Sequence, residues 1–305
     1  MALTTSLEET IMKTIQRWLF PLLIVAVTAL ICGLAISVVF PKEEGSLIST
    51  AKQQNSQQKE LIHYTALGDS LTQGVGASLK GGFVPMVVQD LTDTYRLNGV
   101  EVDNFGKNGD RSDQILKRLQ KNDEIQKSLA KADIITLTFG GNDLMKVIQQ
   151  NIFGDLTVQT FDKPLVDYQD SVRALLKEVR KYNPNAPMYI LGIYNPFYLY
   201  FPEITQMQSI VTNWNLGTEA VVKEEQRSYF IPINDLLYKG IDGSIGVEGE
   251  GDGTSASGTP DIKNNVIYEE DHFHPNNLGY QLMARAVKEE LVKTKGEWLE
   301  NGAVD

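Results

Sequence analysis

Hydrophobic and polar positions divide this chain into three stretches. From Trp18 to Phe40 no charged residue interrupts an apolar run (WLFPLLIVAVTALICGLAISVVF). At about 1.5 Å per residue in a helix it reaches about 34 Å, enough to cross a bilayer's hydrocarbon core. Residues 41–60 are polar, show no apolar period and read as a flexible tether. From residue 61 onward short apolar runs alternate with helical periods. Leu61–Leu67, Val100–Phe105, Asp133–Phe139, Met188–Ile193 and Tyr229–Ile233 read as strands. Between them, helical spacing predicts helices over Phe83–Leu97, Asp113–Leu119, Glu124–Ala132 (with Asn122 as its cap), Leu144–Ile152, Leu165–Val179 and Ile204–Glu225, and a terminal one over Leu278–Val292. The alternation predicts one three-layer α/β/α domain around a five-stranded parallel sheet.

The apolar run is long for a signal-peptide core, and no small-x-small cleavage site comes after it. Ile31 before Cys32 does not suit a lipidation site, so Cys32 reads as a residue of the span. Lys13 and Arg17 precede the run, whereas Lys42, Lys52 and Lys59 lie after it, so the basic residues do not themselves favour an inside N-terminus. An uncleaved first span usually acts as a signal-anchor. The expectation is therefore a cytoplasmic segment over 1–17, a single membrane pass over 18–40, a tether over 41–60 and a catalytic domain over 61–305 outside the cell. A run of seven glycines among acids, Gly240–Gly258, reads as a long loop, and its acids do not fit an EF-hand.

Composition narrows the classes. One cysteine excludes a disulfide framework. Lys+Arg 28 against Asp+Glu 39 gives −11, which argues against nucleic acid as a partner. In a parallel sheet, sites form beyond the carboxyl ends of the strands, so the residues just after each predicted strand matter most. After the first comes Gly68-Asp69-Ser70-Leu71, where Ser70 either caps a helix or exposes its hydroxyl. After the second comes Asn108-Gly109-Asp110, where Gly109 is either a turn glycine or an open N–H facing an oxyanion. After the third comes Gly140-Gly141-Asn142-Asp143, where Asn142 is either a cap or an amide donor. Near the end comes Asp271-His272-Phe273-His274. Of the three histidines, His63 falls inside the first strand and reads as a packed or edge residue. That leaves Asp271–His274 as the segment for a general base, its offset allowing the carboxylate to fold back onto the imidazole. A metal held by Asp271, His272 and His274 is the competing reading. Tyr194, Phe197, Tyr198, Tyr200 and Phe201 form an aromatic cluster that either packs the core or walls an acyl or sugar site.

Taken in order, Gly68-Asp69-Ser70-Leu71, Gly109, Gly141-Asn142-Asp143 and Asp271-x-x-His274 resemble the four blocks of the SGNH hydrolases, the GDSL esterase/lipase family, over residues 61–294. The resemblance is to bacterial membrane-anchored members. It implies a flavodoxin-like sandwich and ester hydrolysis with no metal or organic cofactor. It implies Ser70 as nucleophile, His274 as base, Asp271 as the carboxylate orienting it, and the Ser70 and Gly109 N–H groups with the Asn142 amide as oxyanion donors. Asp69 is expected to shape the turn. The second block departs from the usual Ser-Gly-x-Thr-Ser, reading Asn108-Gly109-Asp110-Arg111-Ser112, so Arg111 is expected to alter cleft polarity. The implied substrate is a lipid ester or an O-acylated envelope polysaccharide. An O-acyltransferase and a catalytically silent binding protein share the same residues or fold.

Overall fold

The computed structural model describes residues 58–300, apart from 79, 152–153, 155, 200–205, 242–246 and 249–261. The expected membrane pass over 18–40 and nearly all of the tether lie outside the described residues. Among the described residues no helix is long and apolar enough to cross a membrane. The last tether positions are part of the body. Gln58 pairs with Glu300 in an antiparallel bridge, Lys59 N–H donates to the Leu299 carbonyl at 2.7 Å, and Lys59 Nζ reaches Asp133 at 2.6 Å.

Five strands form the main sheet: β1 (Leu61–Gly68), β2 (Gly99–Gly106), β3 (Ile134–Thr138), β4 (Met188–Leu191) and β5 (Ser228–Ile231). Their order is β2-β1-β3-β4-β5, and every pairing is parallel. This is the doubly wound order whose chain reverses direction between β1 and β3, opening a crevice there. β3 is buried at every position, as a central strand covered on both faces is. Its two threonines keep their hydroxyls satisfied inside the sheet, Thr136 against Tyr64 Oη at 2.8 Å and Thr138 against Asp69 at 2.7 Å. The edge strand β2 is half-exposed or exposed throughout.

Helices cover both faces. On one lie α2 (Val84–Tyr95), α8 (Asn234–Tyr238), α9 (Asn277–Lys293) and α10 (Lys295–Trp298), packed with Ile62, Tyr64, Tyr189 and Ile231 of the sheet. On the other lie α3 (Ser112–Lys121), α4 (Asp123–Lys131), α5 (Gly141–Gln150), α6 (Asp162–Tyr182) and α7 (Met207–Val222), packed with Leu67, Ile135, Leu137 and Ile190. Each shows its apolar stripe: α6, for example, buries Tyr168, Val172, Leu175, Leu176 and Val179. Asn122 caps α4, accepting from the N–H groups of Glu124 and Ile125.

The structure differs from the sequence expectation in several places, and α8 and α10 are short helices that no period predicts. α1 (Ser70–Gln73) is a single turn, too short to show a period. α5 begins at Gly141 rather than Leu144, so Asn142 stands in the first turn of a helix and not in the loop before it. Within the glycine- and acid-rich stretch read as a loop, Val247–Glu248 (β6) pairs antiparallel with Ile262–Lys263 (β7) just beyond it.

Candidate active site

Strand register brings the first three sequence blocks to one edge. Gly68 of β1 aligns with Gly106 of β2 and with Thr138 of β3. The segments carrying Ser70, Gly109 and Asn142 therefore leave the sheet at one level, beside the β1/β3 crevice.

Ser70 is the first residue of α1 and is 5% exposed. It is not the cap. Asp69 is, its carboxylate accepting from the Leu71 N–H at 3.0 Å and from the Thr138 hydroxyl at 2.7 Å. Asp69 thus shapes the turn from below. Burial pushes its carboxyl upward, the Thr138 and Leu71 hydrogen bonds pull it back, and the charges of Asp143 and His274 act in opposite senses.

Gly109 has φ +83, and a Cβ there would meet nothing within 4 Å. Backbone conformation, not lack of room, calls for glycine, and its surroundings are open. Asn142 does not cap its helix: Gly140 stands at the N-cap. One N–H of the Asn142 amide donates to the Asp110 carbonyl at 3.0 Å, and the residue lines the cleft beside Ser70. The next residue, Asp143, accepts from the Ser112 hydroxyl at 2.6 Å and from its N–H at 3.0 Å. Desolvation raises the Asp143 carboxyl, against the pull of those two hydrogen bonds. Arg111 pairs with Asp113 at 3.0 Å, so its charge is partly answered within α3's first turn.

The segment before α9 holds the fourth block. His274 Nδ1 lies 2.7 Å from Asp271 Oδ2, while Asp271 Oδ1 accepts from the N–H groups of Phe273 and His274, each at 2.9 Å. Burial works to raise the Asp271 carboxyl, but the hydrogen bonds from His274 and Phe273 prevail and hold it below its usual range. The segment is tied down on both sides. Tyr194 O–H donates to the Phe273 carbonyl at 2.5 Å, and Tyr268 N–H donates to the His274 carbonyl at 2.8 Å. On the Ser70 side, the Val75 carbonyl accepts from Tyr280 O–H of α9 at 2.7 Å. Gly76 (φ +87) passes so close that a Cβ there would lie 2.6 Å from the Pro275 carbonyl and 3.2 Å from His274 Cβ. His272 adopts φ +47 and donates its N–H to the Tyr268 carbonyl. Among the described residues no three His, Cys, Asp or Glu side chains converge as metal ligands would. His63 lies far from this edge in β1, with Nδ1 3.0 Å from Glu101 Oε2 on the neighbouring strand.

The cleft beside Ser70 is open to solvent. Its wall is Leu71, Leu144, Ile193, Pro196, Phe197 and Phe273, with the Tyr194 hydroxyl already committed. The aromatic cluster therefore divides. Tyr194 and Phe197 face the cleft, and Phe197 meets Phe273 edge-on at 6.1 Å. Tyr198 turns away, its hydroxyl 2.6 Å from Asn264 Nδ2. Tyr200 and Phe201 lie outside the described residues.

Several residues here escape a reading of the sequence. Thr138 reads as a strand residue, Ser112 as the last position of the second block with no role of its own, and Arg118 as one cation on the polar face of an amphipathic helix. None carries a local signal, because each acts across a sequence separation that only the sheet's register closes.

The family model described as the GDSL-like Lipase/Acylhydrolase family matches residues 66–282. The uncharacterized protein YpmR of Bacillus subtilis (strain 168) is 33% identical over 242 residues, covering 79% of this chain and 86% of its own length. Among solved structures, the lipase Lip_vut3 from a goat rumen metagenome aligns with TM-score 0.58 at 24% identity, over 75% of this chain and 96% of that one. A catalytic mutant of Axe2, an acetylxylan esterase from Geobacillus stearothermophilus, aligns with TM-score 0.54 at 17% identity, over 77% and 95%. At those identities the two structures speak for the fold.

Proposed function

This chain belongs to the GDSL-like lipase/acylhydrolase family, and from that premise we propose that it is a serine esterase acting through an acyl-enzyme on esters of aliphatic acids. The observation that carries the reading is the Asp271–His274 pair, bonded at 2.7 Å through Nδ1. A ring whose Nδ1–H is held by a carboxylate keeps Nε2 as its basic nitrogen.

In this mechanism Nε2 takes the Ser70 proton as Oγ forms a bond to the ester carbonyl carbon. The carbonyl oxygen becomes an oxyanion facing the Ser70 and Gly109 N–H groups and the second N–H of Asn142. The intermediate collapses with loss of the alcohol, which leaves with the proton from His274. Water, deprotonated by the same imidazole, then attacks the acyl-enzyme and frees the acid and Ser70. Every step is done by residues of this chain.

The wall of the cleft supports an aliphatic acyl group. Six carbon-only side chains line it beside the polar Asp69, Ser70 and Asn142, and the one phenol, that of Tyr194, already donates to the Phe273 carbonyl. A sugar ring in that position would leave its hydroxyls unpaired, which costs about 1–3 kcal/mol for each. We further propose that residues 18–40 anchor the enzyme in the cell membrane with the body outside. Full-length protein that washes off membranes at alkaline pH would contradict this.

The test is hydrolysis of p-nitrophenyl acetate, butyrate and octanoate by the full chain beside Ser70→Ala. Turnover lost in the variant, and kcat/KM rising from acetate to at least butyrate, is the expected result. Turnover that persists in Ser70→Ala would overturn the serine mechanism, and a preference for acetate would overturn the acyl-chain reading. Adding an acceptor alcohol and assaying for a new ester separates hydrolysis from acyl transfer.

A further inference from the structure

Arg118 of α3 is 19% exposed in its side chain and spends its guanidinium on three partners. Nε donates to Asp110 Oδ2 at 2.9 Å, Nη1 to the Phe105 carbonyl at 2.9 Å and Nη2 to the Gly68 carbonyl at 3.0 Å. Each partner leads directly into the proposed site. Gly68 is the last residue of β1, two before Ser70. Phe105 lies at the end of β2, four before Gly109. Asp110 comes directly after Gly109, and its carbonyl accepts from the Asn142 amide at 3.0 Å.

We propose that Arg118 is the positioning residue of the oxyanion donors: one half-buried guanidinium sets the spacing of the Ser70, Gly109 and Asn142 donors. The inference rests on the serine-esterase reading above. The reason is geometric. The three donors come from three strand ends, and the sheet's backbone ladder ends with the Lys107 N–H on the Gly68 carbonyl and the Asp69 N–H on the Thr138 carbonyl, short of Ser70, Gly109 and Asn142. A planar fork with rigid N–H directions fixes the segments beyond, and a lysine's single point charge does not. Lys107 also approaches Asp110, at 3.8 Å, but with its side chain 63% exposed it adds little. On the far side of Asn142, Ser112 at the start of the same helix holds Asp143. α3 therefore grips Asn142 through both of its flanks, by way of Asp110 and Asp143.

The fold supplies an internal control. Arg180 of α6 makes a similar tie at the opposite edge of the sheet. Its Nη1 donates to the Ala186 carbonyl at 2.6 Å, and its Nη2 to the Gln226 and Arg227 carbonyls at 2.6 and 3.0 Å, just before β4 and β5 begin. An arginine that only knits strand ends should behave as Arg180 does.

The experiment measures kcat, KM and Tm for p-nitrophenyl butyrate hydrolysis by the full wild-type chain and by the chain carrying Arg118→Lys, Arg180→Lys, Asn142→Ala, and Arg118→Lys combined with Asn142→Ala. Losing one oxyanion donor outright typically costs about 10²–10³ in turnover. A displaced set should lose less, so Arg118→Lys is expected to lower kcat about 10- to 100-fold with KM changed less than about twofold. In the Asn142→Ala background the same substitution should cost less than about threefold, because two residues acting as one unit are non-additive. Arg180→Lys should lower Tm and leave kcat alone. Where Arg118→Lys fails to fold, Arg118→Met with Asp110→Asn removes both charges together and leaves neither buried alone; the same kcat loss is expected. Folded Arg118 variants with wild-type kcat would overturn the inference. So would an equal loss in both backgrounds, or a kcat loss in Arg180→Lys matching that of Arg118→Lys. A wild-type enzyme that does not turn over would instead sink the esterase reading and this role with it.

Discussion

Asp271 accepts three hydrogen bonds through two oxygens, two from backbone N–H groups and one from the His274 ring. That geometry has two separable consequences. The carboxyl is held below its usual range, so the folded protein binds this proton more weakly than the unfolded chain does. Its contribution to stability is present above the unfolded carboxyl value of about 3.9 and is lost as pH falls through the lower folded value. The carboxylate also selects the tautomer of His274. Asp271→Asn keeps the shape but lets the amide donate to Nδ1, which turns the basic nitrogen away from Ser70. By analogy with triads elsewhere, kcat should fall by about 10²–10⁴ at neutral pH. The acid-side loss of stability should shrink in the same variant, because the titrating group is gone. Urea midpoints at pH 3 and pH 7 together with ester hydrolysis at pH 7 check both. An Asn variant retaining wild-type kcat would remove Asp271 from the mechanism.

At the scale of elements, the site depends on segments that approach each other with little clearance. The segment after α1 reaches the His274 segment at Gly76, where φ is +87 and a Cβ would press on Pro275 and His274. Gly76→Ala is expected to cost about 1–2 kcal/mol in stability through its left-handed backbone. It should also shift His274 enough to lower kcat at least tenfold, measured beside thermal unfolding. A loss of stability without any change in kcat would show that this contact supports only the fold. The five strands and the major helices were legible from their apolar periods because β3 and β4 are buried on both faces and α6 on one. Register was not legible, and register is what aligns Gly68, Gly106 and Thr138. The four-residue α1 has no period to read. Asn142 read as a cap or an amide donor ahead of the helix because two glycines before it disguise the start of α5. The four sequence blocks were visible because each packs several chemically telling residues into a few positions. Arg118 was not, since an arginine on the polar side of an amphipathic helix is ordinarily solvated, and only the folded chain brings Asp110, Phe105 and Gly68 around it.

For the whole molecule, the charge of −11 lies entirely beyond residue 40, because Lys13 and Arg17 cancel Glu8 and Glu9 before it. The proposed chemistry stands or falls on Ser70 being a nucleophile activated from the Asp271–His274 side. The most direct measurement is mass spectrometry of the folded full-length protein after reaction with a fluorophosphonate. The expected result is one phosphonyl group on the peptide containing Ser70, absent from Ser70→Ala and strongly slowed in His274→Ala. Folded protein that takes up no label, or takes it up at another residue, would contradict it.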